Sequence, residues 1–230
     1  MAAYGHWIPS EIFDHPPKRS LNLHPSLLPR HRGAAPVVST ILSGEKEVGI
    51  SVLFVEDEMD TGDLLAQIKL PIQENDTTGS VMSKCAEAGG RFFVDTIAGW
   101  VDGKIVPKPQ DHSLATWFGR MKKEEGLINW TLPAEEIVRR CHALSPWPGA
   151  YTFFEGRRLI IRQASVLNNP SGYTVDSEPG RIVCIDSEVG VITGDGLLRI
   201  DILQLSCRKP LILDEFLRGQ RHFIGTRLGY

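Results

Sequence analysis

The sequence predicts an α/β domain followed by a small β-barrel domain, with the boundary near the middle of the chain. Three observations predict this. Over residues 1–104, apolar runs of strand length alternate with segments of helical period. Residues 105–122 carry two prolines and little periodicity, like a linker running over a surface. Residues 123–230 then hold five short β-branched-rich runs punctuated by Gly and Pro, the pattern of an OB-like barrel with Greek-key closure. With 230 residues, 42% apolar and 23% charged, the chain is long enough to bury a sizeable core and is neither disordered nor fibrous.

In order, the opening Met1 to Ile8 has no basic region, apolar core or cleavage site, so it is no signal peptide. It reads as the end of a buried strand, with a turn starting at Gly5. Leu21 to Leu23 is a short strand stopped by Pro25, and Ala34 to Leu42 a helix ended near Gly44. Val48–Val55 and Leu64–Ile72 are strands. From Thr78 to Trp100, Met82, Cys85, Gly89, Phe93, Ile97 and Trp100 recur at helical steps, and Gly89-Gly90 is a place for the helix to divide. The second half starts with a helix that has Pro133 and Glu135-Glu136 in its first turn and Ile137, Cys141 and Leu144 on one face. Trp147-Pro148-Gly149 ends it. The strands Tyr151–Phe154, Arg158–Val166, Arg181–Ile185, Val189–Thr193 and Leu197–Leu205 follow.

Composition excludes several classes. No apolar run approaches the ~18 residues of a membrane span. A net charge of −3 gives no overall grip on nucleic acid. A local basic face stays open through the doublets Arg139-Arg140, Arg157-Arg158 and Arg208-Lys209, although residues 123–230 hold 13 basic and 13 acidic side chains. Cys85, Cys141, Cys184 and Cys207 are scattered without a Cys-x-x-Cys pair, which reads as small buried thiols in a reducing compartment. None of the seven histidines forms a metal-ligand pair.

The densest chemistry lies in Asn22-Leu23-His24-Pro25-Ser26-Leu27-Leu28-Pro29-Arg30. Asn22 and His24 are two apart, so they point the same way at a strand end, where α/β sheets bind ligands. Structural capping is the other reading of such a pair. The acid-rich stretch Glu56 to Asp63 is either a second part of a site or a solvated connection.

Taken together, Asn22-x-His24-Pro25-Ser26-Leu27-Leu28-Pro29, Arg32-Gly33-Ala34-Ala35-Pro36 and Asp60-Thr61-Gly62-Asp63 resemble the core of the formyltetrahydrofolate-dependent formyltransferase superfamily. Lys123 to Trp130, Ser145 to Tyr151 and Thr193-Gly194-Asp195-Gly196 are similar to the carboxy-terminal domain of its methionyl-tRNA formyltransferase family. The resemblance implies the C-terminal half of a Rossmann-like formyltransferase domain, residues 1–104, and a tRNA-binding barrel, residues 123–230. It also implies that the family's first strands and an inserted loop lie outside this sequence. The strand carrying Asn22 then has a bare edge, and residues 1–230 alone are expected to be unstable or inactive.

The implied activity moves the formyl group of 10-formyltetrahydrofolate, the co-substrate, onto the amino group of methionyl-initiator tRNA. Asn22 would donate to the carbonyl oxygen as it becomes an oxyanion. His24 would take the amine proton or stabilise the intermediate as imidazolium. Asp60 would favour the charged imidazole and hold a bridging water. No metal is implied. Ser26, Leu27, Leu28 and Pro29 would form one folate wall, and His6-Trp7-Ile8 the other, with Trp7 alternatively a core aromatic. The implied protein is a monomer without membrane contact, cytoplasmic, or mitochondrial in a eukaryotic host. Two other readings stay open: the same trio acting on water or a sugar-nucleotide amine, and a fragment that binds without turnover.

Overall fold

The computed structural model describes residues 1–167 and 178–229. The chain divides into two compact units, Met1–Met121 and Lys122–Tyr230.

In the first unit a short helix α1 (Ser10–Phe13) precedes β1 (Leu21–His24) and β2 (Arg32–Gly33). Helix α2 (Pro36–Leu42), β3 (Glu47–Phe54), β4 (Leu64–Pro71), α3 (Thr78–Val101) and β5 (Trp117–Phe118) complete it. The main sheet has the order β1-β3-β4, with both pairs antiparallel. β3 is buried at every residue after Glu47, as suits a central strand whose one buried polar side chain, Ser51, is hydrogen-bonded. On the other side of β1 the opening residues lie parallel, through an Ala2–Leu23 bridge in which the Leu23 N–H donates to the Met1 carbonyl at 2.9 Å. Trp7 is 73% exposed, which removes the core-aromatic reading.

Helix α3 runs unbroken for 24 residues through Gly89-Gly90. A capping box starts it: the Ser80 N–H donates to Thr77 Oγ1, and the Thr77 N–H donates to Ser80 Oγ. Its buried residues are Val81, Cys85, Gly89 and Thr96, while Met82 and Ile97 are exposed, so the inward face is rotated from the expected one. A Cβ at position 89 would stand 3.2 Å from Leu23 Cδ2 and 3.4 Å from Ile50 Cδ1. The missing side chain therefore lets the helix bed down on the sheet. The segment expected as a linker is pinned into this unit. Lys108 exchanges backbone bonds with Leu64 at 2.8 and 2.9 Å, and β5 pairs in parallel with β2.

The second unit holds α4 (Ala134–Ala143), β6 (Ala150–Phe154), β7 (Arg157–Leu167), β8 (Ile182–Ile185), β9 (Glu188–Ile192), β10 (Leu197–Leu205), β11 (Leu211–Ile212) and α5 (Leu213–Gly219). As expected, Ile137, Cys141 and Leu144 are at most 1% exposed at the helix face that meets the core. The strands form one sheet in the order β6-β7-β10-β9-β8, with β11 on β10. This corrects the expected barrel. Among the described residues β6 and β8 remain opposite edges that do not pair, so the sheet is open and no OB-like closure is found. Segment 225–229 meets both edges instead. The Ile182 N–H donates to the Thr226 carbonyl (2.9 Å), Leu228 donates to Gly180 (2.8 Å) and Gly229 to Phe153 (2.9 Å). The Gly225 N–H also donates to the Ile182 carbonyl, and Arg181 and Arg227 form an isolated antiparallel bridge, which satisfies edge groups without a strand ladder joining β6 to β8.

Cys85 and Cys141 are buried, but Cys184 and Cys207 are exposed, so the buried-thiol expectation holds for half the set. Among the described residues no helix is long and apolar enough to cross a membrane.

Candidate active site

The pairing of β1 with β3 sets Asn22 opposite Leu53 and His24 opposite Ser51, and the two-residue step puts both side chains on one face of the strand. His24 is 5% exposed. Its Nδ1 stands 3.5 Å from Asp60 Oδ1, and its Nε2 is 2.9 Å from the His31 carbonyl oxygen. A carbonyl only accepts, so Nε2 carries a hydrogen and donates it. The neutral imidazole then keeps its lone pair on Nδ1, facing the carboxylate.

Asp60 is the inward end of the acid-rich connection. Glu56, Asp57, Glu58 and Met59 are exposed, so that stretch is largely the solvated connection of the alternative reading. The Asp60 carboxylate is itself almost covered, and its Oδ2 accepts the Gly33 N–H at 2.9 Å. Its backbone is left-handed, with φ of +59°, a conformation that aspartate tolerates better than most side chains. Gly33 has φ of +104°, and a Cβ there would lie 2.3 Å from the Phe118 carbonyl oxygen, so this donor position accepts glycine alone. Asn22 is half-buried, and among the described residues its amide has no protein partner. The structure thus brings His24 and Asp60 together and sets Asn22 beside them on the same strand.

The 26–29 loop is built from inside. Ser26 is fully buried and its Oγ donates to the Arg30 carbonyl at 2.8 Å. Leu28 is 3% exposed; its N–H donates to Ser51 Oγ and its carbonyl accepts from Gln67 Nε2. The side chains of Ser26 and Leu28 therefore shape the loop, Leu27 lays its half-buried side chain over Gly49 of β3, and Pro29 is half-buried beside them.

Three further buried polar residues hold the site, and sequence reasoning gave none of them a role. His31 contacts Ser39 Oγ through Nδ1 and Glu45 Oε1 through Nε2, both at 2.8 Å, while its N–H donates to Thr116 Oγ1. Arg32 is 3% exposed. Burial lowers its pKa, against the pull of Asp60 and Glu58. Gln110 bonds to Arg32 from a segment whose composition announces no structure. Among the described residues no group of three or more His, Cys, Asp or Glu is arranged to hold a metal ion.

An imidazole against a carboxylate, with an amide on the same strand face as the imidazole, suits direct transfer of an acyl group to an amine. Known proteins narrow this to formyl transfer: the family described as "Formyl transferase" matches residues 1–97, and "Formyl transferase, C-terminal domain" matches residues 120–221. The methionyl-tRNA formyltransferase of Desulforamulus reducens is 36% identical over all of this chain and 72% of its own length. That of Carboxydothermus hydrogenoformans is 39% identical over 98% of this chain and 72% of its own. The chain belongs to the methionyl-tRNA formyltransferase family. Among solved structures, the methionyl-tRNA formyltransferase from Clostridium thermocellum matches 83% of this chain and 76% of its own, with a TM-score of 0.56 and 26% identity. HypX from Aquifex aeolicus in complex with tetrahydrofolic acid shares the fold, with a TM-score of 0.68 at 21% identity over 94% of this chain and 37% of its own.

Proposed function

We infer that this chain transfers the formyl group of 10-formyltetrahydrofolate to the α-amine of methionyl-initiator tRNA, the reaction that prepares translation initiation. The observation that carries it is the His24–Asp60 contact beside the unpartnered Asn22 amide. In this reading the amine nitrogen attacks the formyl carbon and the carbonyl electron pair moves onto oxygen. Asn22 donates to that oxyanion. His24 accepts the amine proton at Nδ1, since Nε2 is committed to the His31 carbonyl, and Asp60 balances the imidazolium. Collapse expels tetrahydrofolate, whose nitrogen recovers a proton. Leu27 and Pro29 offer the flat pterin an apolar wall that Ser26 and Leu28 hold in shape.

For the tRNA, exposed Arg157, Arg208 and Lys209 are available to phosphates, and Arg158 stands over the Tyr151 ring at 3.8 Å. We place the protein in the cytoplasm as a monomer, or in mitochondria in a eukaryotic host. The edge of β1 that was expected to be bare is met by Met1 and Ala2, so the test is formyl transfer from 10-formyltetrahydrofolate to charged initiator tRNA by purified residues 1–230, with His24→Ala as control. Formate release to water, or formylation of a sugar-nucleotide amine in preference to the tRNA, would replace the acceptor.

A further inference from the structure

Gln110 is a buried side chain, 6% exposed, that reaches both the 60–62 turn and β2. Its Nε2 donates to the Asp60 carbonyl at 3.0 Å and to the Gly62 carbonyl at 2.7 Å, which uses both amide hydrogens. Its Oε1 accepts from the Arg32 guanidinium at 2.6 Å. The position of Gln110 is itself fixed two residues earlier, where Lys108 is bonded to the start of β4. Arg32 is the neighbour in β2 of Gly33, whose N–H holds Asp60 Oδ2. One amide thus secures the Asp60 backbone directly and, through Arg32, borders the strand that secures its carboxylate. What is left over is Oδ1, and it faces His24 Nδ1. A left-handed aspartate persists only where its surroundings hold it, and the two Gln110 bonds bracket that turn.

We propose that Gln110 is a positioning residue for the His24–Asp60 pair, locking the 60–62 turn so that the carboxylate faces the imidazole. Its effect on turnover rests on the function proposed above; its effect on the imidazole does not. Gln110→Glu separates the two halves of the contact. It keeps an acceptor for Arg32 but has no hydrogen for the two carbonyls and sets a negative charge against them. The expected result is a kcat lowered at least tenfold, with KM for both substrates within about threefold of wild type. The His24 imidazole nitrogen shifts, read by NMR at one pH, move in the direction that Asp60→Asn moves them.

The double variant Arg32→Met with Gln110→Met removes the buried charge together with its acceptor, which covers the case in which Gln110→Glu does not fold. It is expected to show the same displacement with a cooperative melt. A folded variant of either kind with wild-type imidazole shifts, or with wild-type kcat, overturns the proposal. If wild-type protein transfers no formyl group, the proposed function fails, and the imidazole shifts alone decide the role of Gln110.

Discussion

At the scale of single residues, the function proposed above divides the site into groups that would meet substrate and groups that fix them. Among the described residues Asn22 keeps an amide without a protein partner, while His24 is held on one side by a carbonyl and on the other by Asp60. Asn22→Ala and Asp60→Ala are each expected to lower kcat by about a hundredfold or more, the typical loss of a pre-aligned oxyanion donor or charge partner. Binding of tRNA, read by filter retention, should change little, and wild-type turnover in either variant removes that residue from the site. The Asn22–His24 pair was legible because strand geometry alone aligns residues two apart. Asp60 was legible only through motif resemblance, since nothing in its local composition tells it from the solvated Glu56, Asp57 and Glu58. Gln110 was not legible at all. Its partners are 78, 50 and 48 residues away, and the segment around it has no period to suggest burial.

At the scale of elements, α3 shows how a terminus stores pH-dependent stability. Asp76 is buried before the cap and accepts from the Gln73 N–H at 2.7 Å, from Ser80 Oγ at 2.7 Å and from Lys84. Burial opposes its ionisation, but Lys84, the Gln73 N–H and Ser80 outweigh that and hold its pKa below the ordinary 3.8. A depressed carboxylate contributes stability above its unfolded value and loses it as pH falls through its folded value. Melting temperature should therefore drop as the pH is taken below about 4, and Asp76→Asn should flatten that slope. Asp76→Ala should cost about 1–2 kcal/mol at neutral pH by urea titration. The helix itself was readable from its three-and-four spacing. Its inward face was readable only in part: Cys85 and Gly89 turn inward as expected, but Val81 and Thr96 are buried with them where Met82 and Ile97 were expected. The backbone bonds of the 105–122 segment were not readable, because prolines disrupt periodicity whether a stretch lies free or is bound into a unit.

At the scale of the whole molecule, two units carry separate cores, and the thiols report on both. Burial pushes Cys85 up to about 11 and Cys141 up to about 12, so neither is a thiolate at neutral pH. Native protein should take up about two equivalents of a thiol reagent, at Cys184 and Cys207, and four after denaturation. Rapid modification of all four without denaturant would contradict the packing of both units. In the second unit the strands were readable one by one from their alternation, but pairing between the first and last is a long-range property that alternation does not encode. The open edges have a practical consequence. The strip 225–229 lies along the β8 border and gives β6 one bond, while the Ile128 N–H holds β6 at the Tyr151 carbonyl, so a protease cut just after Phe223 would unmask chiefly the β8 margin. Such a clipped product should self-associate, visible as rising light scatter, where nicks at an ordinary surface loop leave it dispersed.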